Sequence, residues 1–391
     1  MHVYFINYHP FRESSGIHIH FLANALEAMG IPCTACVPRS PKSVHDFGAT
    51  AYRSMGFARL NRRLLLSPGS FRREGAVFHA WTPREVVRKA TAGAARRTGC
   101  PYFVHLEDNE EHVFETHTGL TCEQASRLPW FRKALLPRGF IRPDRYREFM
   151  ARSAGVTCIS ESLCETVSGT PAMTFWPACE AEFFDLPAEP DREFRRAASI
   201  PEEAVVLTYT GNLHRANRDE LSTLYRAVVE LNRGGRCVRL VRTGSDHADL
   251  PADVAEAAKP YVIAFGSRPP AELIRFVAAA DILVQPGRPG PFNDYRFPSK
   301  LPMYLASGRP VVLPAANIGN HLADGAECRL LRHGTAEELV GVLEPLVDEA
   351  GPRRRIGVAG RAFAADRFSW EKSAASVLDF YRRNRGGGHV G

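Results

Sequence analysis

Short apolar runs alternate with segments of helical periodicity along nearly the whole of this 391-residue chain. In the first half the helix that follows the first apolar run carries Phe21, Leu22, Ala25, Leu26 and Met29 on one face. Another helix is predicted over residues 83–97, with a proline in its first turn. The predicted strands are residues 3–6, 33–37, 76–79, 102–106, 155–159 and 172–175. Such alternation is typical of a parallel sheet that is covered by helices on both faces.

The composition changes over residues 187–203, which are rich in proline and charge and lack an apolar period, so we interpret them as an interdomain linker. The alternation then restarts, with strands predicted at 204–209, 237–241, 262–265, 281–285 and 310–313. Helices are predicted at 219–231, 271–279, 298–306 and 368–385. The sequence therefore predicts an α/β protein with domains at 1–186 and 204–367, whose ligand lies in a cleft beyond the carboxyl ends of the strands.

The formal net charge of +7 and the pI near 9.0 favour an anionic partner, which could be a nucleotide diphosphate, an anionic lipid or a nucleic acid. The nine cysteines are scattered through apparent core segments such as residues 157–159, as expected of free thiols in a reducing compartment. Cys33 and Cys36 have no second pair with which to build a zinc site. The N-terminus lacks the pattern of a signal peptide and no apolar run reaches ~20 residues, so we expect a cytoplasmic protein.

Residues 297–312 read FPSKLPMYLASGRPVV, a loop, helix, glycine and strand in succession. This segment resembles the retaining glycosyltransferases of family 4, which have the GT-B fold. Residues 208–212, 279–286 and 368–371 resemble further segments of that family, in the same order. The resemblance implies two Rossmann-like doubly wound domains that face a cleft, with the helix at 368–385 crossing back to the N-terminal domain.

The same resemblance implies a metal-independent hexosyltransferase without a cofactor. Such an enzyme moves a sugar with retention from a UDP- or GDP-sugar to a hydroxyl of a glycan, a polysaccharide or a lipid-linked acceptor. Cell-surface polysaccharide biosynthesis is the expected setting. The family usually carries two glutamates eight residues apart, but this sequence has Tyr295 and Met303 at those positions. Asp294 could substitute for the first glutamate as a catalytic residue, or it could be a solvated loop acid.

The missing glutamates leave open an alternative, a catalytically silent GT-B subunit that binds a nucleotide or a sugar. A sugar epimerase would need acidic residues close to the sugar, such as the acidic run that begins at Glu107. A nucleic-acid protein is disfavoured because the arginines do not cluster in any known binding motif.

A pyrophosphate leaving group needs groups that stabilise its developing negative charge. Backbone N–H groups at the turn that carries Gly16, and the helix start at Pro298 and Ser299, could supply hydrogen bonds to it. Lys300 is the strongest cationic candidate. The turn at Gly211 and Asn212 is followed by Arg215 and Arg218, each of which could bind the donor or begin a solvated helix.

His105 ends a predicted strand, and the resemblance places it near the reacting face of the sugar as a catalytic residue; it could equally be a satisfied core histidine. Glu107 and Asp108 follow it, and His18 stands beside the glycine turn; all three are candidates for binding the sugar or the acceptor. Residues 127–152 and 59–73 interleave basic residues with aromatic and aliphatic ones. They could dock on the inner face of an anionic membrane or pack on their own domain.

Overall fold

Two α/β units make up the computed structural model, which describes residues 1–11 and 14–386. The first unit comprises Met1–Pro177, Tyr295–Phe297 and the chain from Trp370 onward. The second comprises Ala178–Asp294 and Pro298–Ser369. Each contains one sheet in which every strand pair is parallel, and this confirms the predicted fold class.

The first unit has a seven-stranded sheet with the order β3-β2-β1-β4-β5-β6-β7. Its strands are β1 (His2–Ile6), β2 (Cys33–Val37), β3 (Arg53–Gly56), β4 (Ala76–Trp81), β5 (Tyr102–Leu106), β6 (Gly155–Cys158) and β7 (Ala172–Thr174). Six of these were predicted. Helices cover both faces of the sheet, so the central strands β1 and β4 are wholly buried and β5 is buried except at its first residue; apart from their histidines they are mostly apolar or aromatic.

Nine helices connect these strands within the described part of the first unit. They are α1 (Ser14–Ala28), α2 (Phe57–Leu66), α3 (Pro68–Arg73), α4 (Glu85–Thr98), α5 (Glu110–Thr118), α6 (Cys122–Arg127), α7 (Trp130–Leu135), α8 (Tyr146–Ala151) and α9 (Glu161–Glu165). The turn expected around Gly16 is wrong, because α1 already begins at Ser14. A side chain at Gly16 would meet Phe11 at 2.9 Å, so the glycine permits close packing there.

The second unit has a six-stranded sheet with the order β10-β9-β8-β11-β12-β13. Its strands are β8 (Val205–Thr210), β9 (Val238–Thr243), β10 (Val262–Ala264), β11 (Ile282–Val284), β12 (Val311–Pro314) and β13 (Arg329–Leu331). Its helices are α10 (Arg192–Ala197), α11 (Arg218–Arg233), α12 (Ala252–Ala258), α13 (Leu273–Ala278), α14 (Leu301–Ala306), α15 (Ala336–Asp348) and α16 (Ala350–Arg367). Leucine and valine side chains from the sheet, α11 and α15 form its main core.

The predicted linker, residues 187–203, is folded as part of the second unit. It contains α10, whose Phe194 is buried and lies edge-on to Phe276, with 5.2 Å between ring centroids. Arg309 donates a hydrogen bond to the carbonyl of Pro187 at 2.9 Å, and Arg361 donates one to Leu186 at 2.8 Å. The segment rich in proline and charge is therefore an ordered part of the second unit, which Arg309 and Arg361 stabilise through hydrogen bonds to its start.

The last helix, α17 (Trp370–Asn384), belongs to the first unit. Its apolar face packs against α1, where the rings of Trp370 and Phe21 stack 5.5 Å apart. It also covers the sheet: Phe380 contacts Phe103 of β5, and Gly155 of β6 leaves room for the Phe380 ring. None of the helices in the described ranges is both long and apolar enough to traverse a lipid bilayer.

Candidate functional site

Lys300 lies against the carboxyl end of β8 in the second unit. Its ammonium nitrogen is 3.8 Å from the centroid of the Tyr209 ring, within the range of a cation–π interaction. A Cβ atom at Gly211, the residue after the strand, would lie 2.6 Å from the same nitrogen. The glycine is therefore needed for the lysine to approach the backbone of this turn, and the two residues predicted to bind the donor lie together.

Hydrogen bonds hold the Gly211 turn in place from three sides. The side-chain carbonyl of Asn212 accepts from the Ser245 backbone N–H at 2.8 Å, and its backbone carbonyl accepts from Asn217 at 2.9 Å. The Tyr304 hydroxyl, buried at the base of α14, accepts from the Thr210 backbone N–H at 2.7 Å. The strand end, the turn and α14 are thus fixed to one another.

The segment before Lys300 differs from its prediction. We expected a helix from Pro298, but α14 begins at Leu301 with Lys300 at its N-cap. Pro298 and Ser299 therefore lie in the turn that precedes the helix. Most N–H groups at the start of this helix are already used: those of Leu301 and Tyr304 donate to the carbonyls of Pro298 and Lys300, each at 3.0 Å, and Pro302 has none.

Arg215 and Arg218 are both exposed, the first at the start of a 3-10 helix and the second at the start of α11. Asp294 is half-buried in the turn after β11, where its backbone N–H donates to Gly290. The same turn holds a carboxylate that we did not predict: Glu220 of α11 accepts from the Asn293 amide at 2.6 Å.

Glu107 is the centre of a buried polar cluster at the carboxyl end of β5 in the first unit. Its carboxylate accepts hydrogen bonds from Trp81 Nε1 at 2.8 Å, from His18 Nδ1 at 2.8 Å and from the Ser15 hydroxyl. Burial alone would raise the pKa of Glu107, but the hydrogen bonds and charge from His18 outweigh it and lower this pKa to about 2. Glu107 is therefore an anion held at the first turn of α1.

His18 and His105 each have one ring nitrogen that is buried and makes no hydrogen bond among the described residues. For His18 this atom is Nε2, since Nδ1 contacts Glu107. For His105 it is also Nε2, since Nδ1 contacts the Thr157 hydroxyl at 2.8 Å. A buried polar atom without a partner costs free energy, so such atoms are common where a ligand binds.

The acidic residues that follow Glu107 lie in different environments. Glu110 is buried and paired with Arg84, whose Nε lies 3.0 Å from the carboxylate. Asp108 is half-buried, and burial raises its pKa. It lines a cavity of about 480 Å³ whose other walls include Glu111, Arg147, Thr166 and Ser168. Within the described ranges no group of three metal-ligating side chains comes together.

The sequence indicated Lys300, Gly211, Glu107 and His18 as separate candidates, and the structure brings them together in pairs within each unit. It also adds residues that the sequence did not indicate: Tyr209, Tyr304 and Glu220 in the second unit, and Trp81 in the first. Tyr209 and Tyr304 lie inside the segments at 208–212 and 297–312, and these segments were the available signal for them. Glu220 and Trp81 contact the site from other parts of the chain, which no local pattern reveals.

Residues 204–349 match the family described as Glycosyl transferases group 1. A D-inositol 3-phosphate glycosyltransferase of Corynebacterium aurimucosum is 30% identical over 199 residues, which cover 48% of this chain and 45% of that protein. A second such enzyme, from Corynebacterium diphtheriae, is 27% identical and is matched over 49% of its length. The chain thus spans about half the length of the curated relatives it matches.

Solved structures resemble the chain over nearly its full length. HepE of Anabaena, in complex with UDP and glucose, has a TM-score of 0.72 at 12% identity and is covered over 100% of its chain, with 98% of this one. At this identity the likeness shows the fold alone, and the fold is that of GT-B glycosyltransferases.

Proposed function

We propose that this chain, which has the GT-B fold and matches the group 1 glycosyl transferases over residues 204–349, transfers a sugar from a nucleotide-diphosphate donor to a hydroxyl acceptor. Both relatives from Corynebacterium are named as glycosyltransferases, and the HepE structure contains UDP and glucose. The donor is a UDP- or GDP-sugar, and the transfer proceeds with retention.

The contact between Lys300 and the Gly211 turn carries this proposal. It supplies a cation at the carboxyl end of a central strand, where ligands of doubly wound sheets bind. The diphosphate contacts Lys300, and Arg215 or Arg218 adds charge from the exposed side. Backbone groups at Gly211, Asn212, Pro298 and Ser299 shape the donor pocket.

In the first unit, His105 and Asp108 contact the transferred sugar or the acceptor, and Gly16 lets α1 pack closely against Phe11. His18 offers its unpartnered ring nitrogen to the acceptor, with Glu107 fixing the ring. Asp294 of the second unit acts on the donor sugar. As the bond between the sugar and the diphosphate breaks and the bond to the acceptor oxygen forms, the leaving phosphate oxygen takes the proton of the attacking hydroxyl, so no side-chain base is needed. Lys300 supplies the positive charge that a metal ion would otherwise provide to the diphosphate.

Substitution of Lys300 tests the donor site. Removing a cation that stabilises the leaving diphosphate should lower the transfer rate by about 100-fold in Lys300→Ala. Lys259→Ala is the matched control, because that lysine is exposed on the second unit. The readout is nucleotide release from a panel of UDP- and GDP-sugars, with donor binding followed by thermal shift.

Equal rates for Lys300→Ala and the wild type would overturn the role of Lys300. Donor binding without release of nucleotide, in the presence of any acceptor tested, would instead support a silent binding subunit. Retention is checked separately by the anomeric coupling constant of the first product in a proton NMR spectrum.

We further propose that the acceptor is a glycan or a lipid-linked sugar that is met at an anionic membrane surface. The two ends of α7 carry Trp130 and Leu135, each 82% exposed, and α2 ends in Leu65 and Leu66, 67% and 71% exposed. Arg127, Arg132 and Lys133 stand beside the exposed tryptophan. Apolar anchors among cations suit the headgroup layer of an anionic bilayer.

A further inference from the structure

A chain of three hydrogen bonds crosses the core of the first unit from α17 to β5. The Tyr381 hydroxyl lies 2.7 Å from His79 Nδ1, and His79 Nε2 lies 3.0 Å from the Thr157 hydroxyl. That hydroxyl lies 2.8 Å from His105 Nδ1. All four side chains are fully buried, so water does not compete for these contacts. We call this series the Tyr381–His105 chain.

Both histidines in the chain are uncharged near neutral pH. Burial lowers the pKa of His79 well below its ordinary value. Burial also lowers the pKa of His105, to about 3, despite the opposing charge of Glu107. Each ring therefore carries a single N–H, and the only question is which of its two nitrogens holds the proton.

The direction of donation along this series of hydrogen bonds follows from counting the buried groups that each direction leaves without a partner. Among the described residues, the Tyr381 hydroxyl has His79 as its one partner, so its proton is satisfied only by donation to Nδ1. His79 then carries its proton on Nε2 and donates it to Thr157, which donates to His105 Nδ1. In this direction the one unsatisfied group is His105 Nε2–H.

The reverse direction leaves two groups unsatisfied. His105 would donate from Nδ1, the chain would end on the Tyr381 oxygen, and both the tyrosine proton and His105 Nε2 would lack partners. Each direction leaves one buried donor without a partner, and the reverse direction also leaves His105 Nε2 as a buried acceptor without one, which disfavours it by roughly 10- to 100-fold.

We infer that Tyr381, His79 and Thr157 are positioning residues that hold the proton of His105 on Nε2, so that His105 presents an N–H donor to a hydroxyl oxygen of the transferred sugar. The part concerning the sugar rests on the proposed function, whereas the proton positions do not. A protonated Nε2 of His105 donates a hydrogen bond to an acceptor oxygen of the ligand. It cannot act as a base, because it has no free lone pair. Tyr381 thus acts from the last helix on a residue at the sheet edge.

The test is a nitrogen-15 NMR spectrum of the full chain labelled at histidine, in which the two nitrogens of a neutral ring have well-separated shifts. His105→Gln and His79→Gln assign the signals. We expect the wild type to show both rings protonated on Nε2. Tyr381→Phe removes the group that sets the direction, so His105 should become a mixture with comparable amounts of both forms. Thr157→Val should have the same effect on His105.

Tyr102→Phe is the matched control. It removes a hydrogen bond of the same length, 2.7 Å, from another tyrosine of the first unit, to the carbonyl of Phe149. If the loss of a tyrosine hydrogen bond acted only by destabilising the first unit, both variants would have similar effects. We expect only Tyr381→Phe to change the nitrogen-15 shifts of His105. Adding UDP-glucose should move the Nε2–H signal of His105, and UDP alone should not, which separates a sugar oxygen from a phosphate oxygen.

A wild-type His105 protonated on Nδ1, or His105 shifts that are unchanged in both Tyr381→Phe and Thr157→Val, would overturn the inference. A shift caused equally by UDP and UDP-glucose would overturn the assignment to a sugar hydroxyl. The NMR spectrum reports the proton positions without any sugar transfer. The inference about these positions and the proposed transferase activity can therefore be confirmed or contradicted independently of each other.

Discussion

Three donors from separate parts of the sequence converge on the carboxylate of Glu107. Ser15 and His18 come from α1, and Trp81 comes from the end of β4. A buried carboxylate with this many donors remains ionised far below its usual range, and it anchors the first turn of α1 to the sheet. Its charge should therefore matter for stability as well as for orienting His18.

The stability of the first unit should depend on pH through Glu107. Its folded pKa is about 2, against 4.5 for an ordinary glutamate. The stabilisation, about 3 kcal/mol, is therefore present above pH 4.5 and is lost as the pH falls towards 2. Melting temperatures measured across this range should fall steeply for the wild type and less steeply for Glu107→Gln.

Glu123→Gln is the control for this measurement, because Glu123 is exposed and pairs only with Arg127. It should follow the wild-type curve. If Glu107→Gln melted at the wild-type temperature at pH 7, the carboxylate would not stabilise the fold and the converging hydrogen bonds would have little energetic weight.

At the scale of elements, two close backbone contacts hold α16 in place, one to the turn after α14 and one to the segment before β13. A side chain at Gly357 would collide with the carbonyl of Gly308, and one at Gly360 would lie 2.8 Å from the carbonyl of Glu327. The glycines thus let α16 approach the end of the motif at 297–312. Charged and small residues occupy most sides of α16, and its glycines allow the helix to pack closely against the neighbouring backbone.

Gly357→Ala should destabilise the second unit by about 1–3 kcal/mol, because the new methyl group must displace backbone. Gly341 in α15 provides the comparison: it is also a helical glycine, and a side chain there would meet nothing within 4 Å. Gly341→Ala should be neutral or stabilising by about 0.5–1 kcal/mol. Urea titrations measure the change in the free energy of unfolding of both variants. An unchanged free energy of unfolding in Gly357→Ala would contradict the close approach of α16 to Gly308.

Most elements could be predicted because the buried strands of a doubly wound sheet are continuous apolar runs. The strands that were missed lack this signal: β3 reads Arg53 to Gly56 with a mixed pattern, and β13 begins with an arginine. The folded segment at α10 was also missed, since its stability comes from Phe194 and from the distant Arg309.

The site was predictable to the extent that it lies inside local motifs. Lys300 and Gly211 were found because each belongs to a recognisable turn. Tyr209 and Tyr304 were not, because the first acts through its ring and the second through a contact 94 positions away in sequence. His79, Thr157 and Tyr381 come from three elements that only the folded chain brings together.

At the scale of the whole molecule, the net charge of +7 and the exposed apolar residues of the first unit support the membrane proposal. Co-sedimentation with vesicles of anionic phosphatidylglycerol at low salt should capture the protein, and neutral phosphatidylcholine vesicles should not. Trp130→Ala should weaken binding by about tenfold, since it removes the largest apolar anchor.

Val358→Ala is the control, because Val358 is 64% exposed but lies on the second unit. It should bind like the wild type. Absence of binding to anionic vesicles at low salt would contradict the membrane proposal, and equal losses in both variants would place the contact elsewhere on the surface.

The position of α17 has a consequence for how the protein is made. Its Phe380 and Tyr381 complete the core of a unit whose sheet is encoded before residue 178. During translation the ribosome synthesises the whole of the second unit before this helix emerges. Until then the nascent first unit lacks the side chains that cover His79 and Phe103, so this part of its core can close only after the second unit has been synthesised.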